Sequence, residues 1–447
     1  MREAIRSRLA ASPATLLPMW AVVMAFTTYF CMYAFRKPFA AASFEGGEVF
    51  GTSFDLKTAF VISQIIGYCI SKFLGTKICA EVERRQRLRF ILGAITLAEF
   101  ALFLFAVLPE PLKIGAIFLN GLPLGMVWGF VVSYLEGRRT SELQLAGLSC
   151  SYIIASGVVK DLGRWQLSLG IPEYWMPFTM GLMFFPILFV SANMLNLMPD
   201  PNPGDIEERV ERKPMKGPER LAFVMRFAVG LTLLLIVYFA LTAFRDIRDN
   251  YGIEIFAELG YADYDAIFTR SELFVAFGVM ACLVPITWIR NNRKALLAIF
   301  GLLVAGCALI GVSTFLMQKG YIDGLTWMIL IGLGGYMAYV PYGCVLFDRV
   351  VAATRTAGTA VFAIYLTDAF GYTGSVFFQL YKAFAQADIT WLEFFTGYCY
   401  FMAIFGGILL TIAYFDFARV AKRAELEAEN EEQALARGEE AGETGSA

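Results

Sequence analysis

What most constrains this chain is the recurrence of apolar runs long enough to cross a bilayer. Twelve of them stand between short polar stretches, at residues 16–38, 56–78, 89–108, 113–135, 145–164, 174–197, 220–245, 270–289, 295–317, 326–347, 357–381 and 393–418. A helix needs about 20 apolar residues to span the hydrocarbon layer, whereas a barrel strand needs about 9–11 that alternate in polarity. These runs exceed the second length and do not alternate. Helices, which satisfy their own backbone groups, are therefore the spanning element. The predicted fold class is an all-α membrane protein with twelve transmembrane helices. Composition agrees: 58% of the 447 residues are hydrophobic and 17% charged, against roughly 45–50% apolar in soluble domains.

The connections predict orientation. Those after even-numbered spans are basic ("EVERRQRLR", "EGRRTSE", "RNNRK", "FDRVVAATR"), as are Arg2, Arg6 and Arg8 at one end and Arg419, Lys422 and Arg423 at the other. Connections after odd spans ("PEP", "QKGYIDG", "AQADITW") are poor in cations. The positive-inside rule then places both termini in the cytoplasm. The N-terminus resembles the basic start of a secretory signal, but no small-residue cleavage site follows the first run, so it is read as a retained span. The expected location is multi-pass in the plasma membrane, which in a prokaryote is the inner membrane. A charged, Pro-rich stretch at 198–219 separates an N-terminal six-helix half (1–197) from a C-terminal one (220–418), and a Glu/Ala-rich cytoplasmic tail (419–447) is expected to be a solvated helix fraying into disorder. Six spans plus six, joined by such a stretch, is the plan of the major facilitator fold.

Several functions are excluded at this level. The net charge of −2 gives no basic field for nucleic acid. There is no His, which removes imidazole as proton carrier or metal ligand. The eight Cys stand singly in apolar runs and read as small buried side chains, not as a metal or disulfide set. No nucleophile–base pair stands out, so an enzyme is not expected, and no cofactor is indicated.

Charges inside the apolar runs carry the remaining information, since each costs about 2.5–3.5 kcal/mol at bilayer depth. They are Arg36 and Lys37 in span 1, Lys72 in span 2, Glu99 in span 3, Lys160, Asp161 and Arg164 in span 5, Arg245 and Arg248 in or just beyond span 7, Glu272 in span 8 and Asp368 in span 11. Tyr29, Tyr33 and Arg36 follow i, i+4, i+7 and share a helical face; Tyr68–Lys72 and Lys160–Arg164 are i, i+4 pairs. Guanidinium, ammonium and phenol groups together make a donor-rich surface with almost no acceptors. That suits a phosphate, which takes bidentate Arg contacts, Lys point charge and neutral hydroxyl donors. Arg36–Lys37 are also placed to snorkel to headgroups, and Lys160–Asp161 to form a structural ion pair.

At this point a family resemblance enters. "YFCMYAFRKPF" resembles the first-helix signature of the organophosphate:phosphate antiporters of the major facilitator superfamily, carriers of glycerol phosphate and hexose phosphates. "GYCISKFLGTKICAEVERRQRLRFILG" resembles their second helix and the basic segment after it, "NGLPLGMVWGFVVSYL" their fourth helix and "TAGTAVFAIYLTDAFGYTGSV" their eleventh, in order over most of the chain. The resemblance implies that Arg36 binds the substrate phosphate with an arginine of helix 7, assisted by Lys37, Lys72, Tyr29, Tyr33 and Tyr68. In "FRDIRDNYGIEIF" that second arginine is Arg245 or Arg248, with spacing favouring Arg245. Glu272 takes the place of a helix-8 carboxylate that pairs with the empty-site cations, and Asp246, Asp249 and Asp161 are further pairing candidates. A His that glycerol-phosphate carriers place on helix 5 is absent; Ser156 stands there, with Lys160 one turn on.

The expectation is a monomeric carrier that exchanges an organic anion, most of all an organophosphate, for inorganic phosphate by alternating access, with the basic 84–89 loop latching the cytoplasmic side. A proton- or sodium-driven symporter using Glu99, Asp161 or Asp368, and a non-transporting anion sensor of the same fold, are the alternatives.

Overall fold

The computed structural model describes residues 6–9, 15–44, 55–136, 138, 140–200, 217–262, 264–354, 360–386 and 388–444. Among the described residues twelve long helices carry the chain: α1 (Leu16–Tyr33), α2 (Leu56–Glu81), α3 (Arg84–Val107), α4 (Glu110–Leu135), α5 (Ser141–Ser168), α6 (Met176–Asn196), α7 (Ala228–Asn250), α8 (Ile267–Thr287), α9 (Asn292–Gln318), α10 (Gly324–Cys344), α11 (Ala360–Ala385) and α12 (Trp391–Glu427). Eleven have the length and hydropathy of a membrane span; α11 is the twelfth long helix and packs between α2 and α7. Side chains at the ends define several of these helices. Asp55 accepts the Thr58 N–H at 2.8 Å to start α2, and Asn291 and Asp323 do the same for α9 and α10. Thr390 and Glu393 form a reciprocal capping box at α12.

The expected spans and the observed helices coincide in number, and their boundaries differ for local reasons. The first span was expected to run to residue 38, but α1 ends at Tyr33; Ala34–Lys37 form turns and Pro38–Ala41 a short 3₁₀ helix. Pro38 lacks an N–H and its ring would clash with the Ala34 carbonyl one turn back, so a regular α-helix does not run through it. The basic 84–89 segment, expected as a loop, is the first turn and a half of α3. α4 breaks at Gly125–Met126, and α12 contains a π turn at Met402–Gly406 before continuing as helix through Thr444, so the acidic tail is helical and not frayed over that length. Most of the linker expected at 198–219 lies outside the described residues.

α1 packs on α5 and α6, α2 on α4 and α11, α5 on α8, and α7 on α11. α1, α2, α5, α7, α10 and α11 turn polar and aromatic side chains towards one another at the centre. The outer flanks are apolar: Phe100, Val190, Phe277 and Phe415 are exposed, as a lipid-facing surface requires.

Candidate functional site

Charged side chains of α1, α2, α5, α7 and α11 and of the turn after α1 converge near the centre of the bundle. Lys72 and Arg245 line one central cavity, Arg36 packs against its Tyr33 and Tyr372 walls, and Lys37 and Lys160 meet on Asp249 nearby, all five strongly buried. The sequence expectation of a surface with almost no acceptors is corrected here, because three carboxylates stand among them. Lys37 Nζ lies 2.5 Å from Asp249 Oδ2 and donates to Asn250 Oδ1 at 2.7 Å. Lys160 Nζ donates to Asp249 Oδ1 at 2.8 Å and to its carbonyl at 2.9 Å, and Ser156 Oγ donates to the same carboxylate. Lys72 Nζ pairs with Asp368 Oδ2 at 2.5 Å. Arg245 donates to Asp246 Oδ1 at 2.9 Å, to the Tyr339 hydroxyl at 2.7 Å and to the Tyr372 hydroxyl at 3.0 Å, while Ser375 donates to Asp246 Oδ2. Helical spacing along single helices does not reveal these pairs, because each except Arg245–Asp246 joins residues far apart in the chain.

Arg36 differs from the other four. Its guanidinium carbon stands 3.9 Å from the centroid of the Tyr68 ring, and Tyr33 and Tyr372 flank it at 5.9 and 5.6 Å. No carboxylate reaches it among the described residues, and its Nε and Nη1 have no hydrogen-bond partner there. A buried guanidinium held by aromatic faces alone keeps its directional N–H donors available for a planar or tetrahedral oxyanion. Among the described residues, these five cations face the three carboxylates of Asp246, Asp249 and Asp368, an excess of two positive charges.

The other expected residues separate clearly. Arg245 lines the cavity; Arg248 does not, since it pairs with Glu272 Oε1 at 2.6 Å and donates to the Met328 carbonyl at 2.9 Å. Glu272 is therefore not the partner of the cavity cations, as had been expected; Asp246, Asp249 and Asp368 hold them instead. Asp161 does not pair with Lys160. It accepts the Thr269 N–H at 2.7 Å and the Thr269 hydroxyl at 2.5 Å, capping the first turn of α8. Arg164 turns away to the carbonyls of Ala262 and Tyr264. Tyr29 meets Tyr68 hydroxyl to hydroxyl at 3.4 Å. Glu99 lies apart from the cavity, against Gly181 of α6, with neither oxygen hydrogen-bonded among the described residues.

Below the cations the cavity is aromatic. Trp128, Tyr152, Tyr238, Tyr339 and Tyr372 line it, and the sequence reading missed all five. A signal for one was present: Tyr365, Asp368 and Tyr372 follow i, i+3, i+7 on α11, the same one-face spacing that marks Arg36. The cavity volume is about 30 Å³. That holds roughly two waters, so a solute of any size requires the helices to part.

Contacts among the described residues cross both ends of the cavity. On the side where α1 and α7 finish, the outer side in the orientation given by the basic connections, Lys57 pairs with Glu254 at 2.5 Å. There too, Tyr251 donates to Gln379 Oε1 at 3.3 Å and stacks on Trp391. On the opposite side Arg349 pairs with Glu142 at 3.1 Å, and the Tyr365 hydroxyl fits over Gly129, where a Cβ would collide with it.

Comparison with known proteins places this geometry in a wider group. The crystal structure of a D-xylose–proton symporter matches with a TM-score of 0.59 over 90% of this chain and 96% of that one, at 11% identity. Agreement of that extent at so low an identity is agreement of fold, and the fold is that of the major facilitator transporters. No curated protein matches the sequence. Residues 38–420 match a family of unknown function, DUF5690, and the chain belongs to that family.

Proposed function

We propose that the protein is a secondary transporter that moves a small organic dianion, an organophosphate exchanged for inorganic phosphate, by alternating access between two six-helix halves. One observation carries the reading: a buried cavity with an excess of two positive charges among the described residues and an arginine whose donors are unfilled there. A phosphate monoester carries about −1.5 to −2 at neutral pH and three acceptor oxygens. It matches both the charge and the vacant donors.

In this account Arg36 and Arg245 clamp the phosphoryl oxygens, Lys37, Lys72 and Lys160 supply field, Tyr33, Tyr68 and Tyr372 hold the Arg36 guanidinium face, and Tyr29 with Tyr33 and Tyr68 orients the solute. Binding competes with Asp246 and Asp249 for their cations. Lys37 and Lys160 bridge to Asp249 across the halves, so a solute that draws them inward weakens the outer closure. An empty carrier keeps Lys37, Lys72, Lys160 and Arg245 on their carboxylates and stays shut; a loaded one exchanges those pairs for contacts to the solute, which lowers the barrier to reopening. The carrier works as a monomer in the bilayer.

The test is exchange of radiolabelled phosphate in proteoliposomes of the purified protein. Saturable exchange that phosphate monoesters accelerate and that Arg36→Gln abolishes, with the variant still folded, is expected. Undiminished exchange by Arg36→Gln would sink the proposal.

A second reading, proton-coupled symport, has one specific observation behind it: the buried Glu99 carboxyl with no partner on either oxygen. It predicts uptake driven by an imposed proton gradient without internal phosphate, and lost in Glu99→Gln.

A further inference from the structure

The break after α1 leaves two backbone carbonyls without helical partners, and the way they are satisfied bears on Arg36. In a continued helix Phe39 and Ala40 would donate to the carbonyls of Phe35 and Arg36; the turn into the 3₁₀ helix takes those donors away, and Ala40 donates to the Lys37 carbonyl instead. Asn120 of α4 donates Nδ2 to Phe35 O at 3.0 Å and to Ala98 O of α3 at 3.1 Å. Gln64 of α2 donates Nε2 to Arg36 O at 2.9 Å and to Asn120 Oδ1 at 2.7 Å. Both amides are fully buried. α2 and α4 touch backbone to backbone at this level, because Gly67 faces the Phe118 carbonyl and Gly121 faces the Gln64 carbonyl with no Cβ between.

We propose that Gln64 and Asn120 are the positioning pair for Arg36, aiming it through its main chain while leaving its guanidinium unoccupied. The inference rests on the reading of Arg36 as an anion ligand. The alternative way to hold a buried arginine is a carboxylate on its side chain, as Asp246 does for Arg245 and Glu272 for Arg248. A carboxylate there would fill the donors that a solute needs. A clamp on the carbonyl of the same residue fixes its Cα and leaves Nε and Nη1 open. Neither Gln64 nor Asn120 lines the cavity. Their effect on a solute passes through Arg36, and both are absent from the set of residues that helical spacing and charge single out.

The experiment uses the full chain with Gln64→Met and Asn120→Leu, which keep approximate volume and remove the donors. Amide hydrogen exchange of the peptide covering 34–42 and phosphate affinity in proteoliposomes are measured side by side. The expected result is at least tenfold faster amide exchange in that peptide, with the interiors of α2 and α4 unchanged. Alongside it, the KM for phosphate exchange rises about tenfold with kcat held within about threefold. In the Arg36→Lys background, Gln64→Met is expected to add little further loss, since the two changes damage one contact. Unchanged amide exchange in 34–42 overturns the clamp. Faster amide exchange with an unchanged KM overturns its role in aiming Arg36. If the wild type binds no phosphate, the anion reading of the cavity falls on that arm alone, and the hydrogen-exchange arm still decides whether the two amides hold the break.

Discussion

The two ends of the cavity are crossed by different contacts. The outer end is sealed by a buried network that shares members with the site: Lys37 and Lys160 meet on Asp249, beside Asn250 and the Tyr251–Trp391 stack. The inner end, among the described residues, is crossed by Arg349–Glu142, whose side chains are 12% and 22% exposed and neither of which lines the cavity. The difference teaches which gate a solute can address. Drawing Lys37 or Lys160 into the cavity loosens the outer seal directly, whereas the inner pair feels a solute only through movement of whole helices. The loaded and empty states should therefore differ most in how firmly the outer end is shut.

Substitutions sharpen that contrast. The largest effect should come from Asp249→Ala, which leaves Lys37 and Lys160 buried without their carboxylate. Removing one partner of a buried pair costs about 3–5 kcal/mol; phosphate exchange should fall by about 100-fold or more and the melting temperature should drop. If Asp249→Ala exchanges normally, the outer seal is not built on that residue. Asp246→Asn should act more selectively, since Arg245 keeps the Tyr339 and Tyr372 hydroxyls. The cavity gains positive charge, so the KM for phosphate should fall severalfold while kcat falls about tenfold, a split that initial-rate measurements read directly. Arg349→Gln should change exchange by no more than about threefold, because a partly exposed pair contributes about 0–1 kcal/mol. An effect as large as that of Asp249→Ala would erase the distinction between the ends.

The smallest effect belongs to Asp323, at the exposed start of α10. Its carboxylate is held below its usual range by the Thr326 N–H that it caps. A depressed value means that the cap stabilises above the ordinary carboxylate range and is lost as pH falls through the folded value. Asp323→Ala should cost about 1 kcal/mol at neutral pH, seen as a slightly lower melting temperature whose difference from wild type shrinks in acid, with exchange unchanged.

Much of the fold was legible because the bilayer imposes it. A run of about 20 apolar residues in a helix is a constraint of length, and the basic connections alternate with it. The departures fall where one residue overrides the pattern, as Pro38 does in ending α1 before Arg36. The cavity was legible in part. Its cations were visible because charge inside an apolar run is costly and therefore conspicuous. Their carboxylates were harder to assign: Asp249 and Asp368 are each one charge among several, and what makes them partners of Lys37 and Lys72 is a contact across more than 200 residues of chain. Glu272 was misassigned for the same reason, since nothing on α8 tells which arginine of α7 it faces. Gln64 and Asn120 carry no charge and follow no repeat. Their importance appears only when the carbonyls left free at the end of α1 are followed to their donors.

The central claim is that the cavity is built for two negative charges. The most direct measurement compares methyl phosphate with methyl sulfate as inhibitors of phosphate exchange in proteoliposomes at pH 7.5. The two have similar shape, but the sulfate ester carries one charge and the phosphate ester close to two. The account predicts that methyl phosphate inhibits at a concentration at least about tenfold lower, the worth of one added ion contact of about 1.4 kcal/mol. That advantage should shrink below about pH 6, as the ester takes up its second proton. Equal inhibition by the two esters, or competition by neutral D-xylose as strong as that by methyl phosphate, would contradict it.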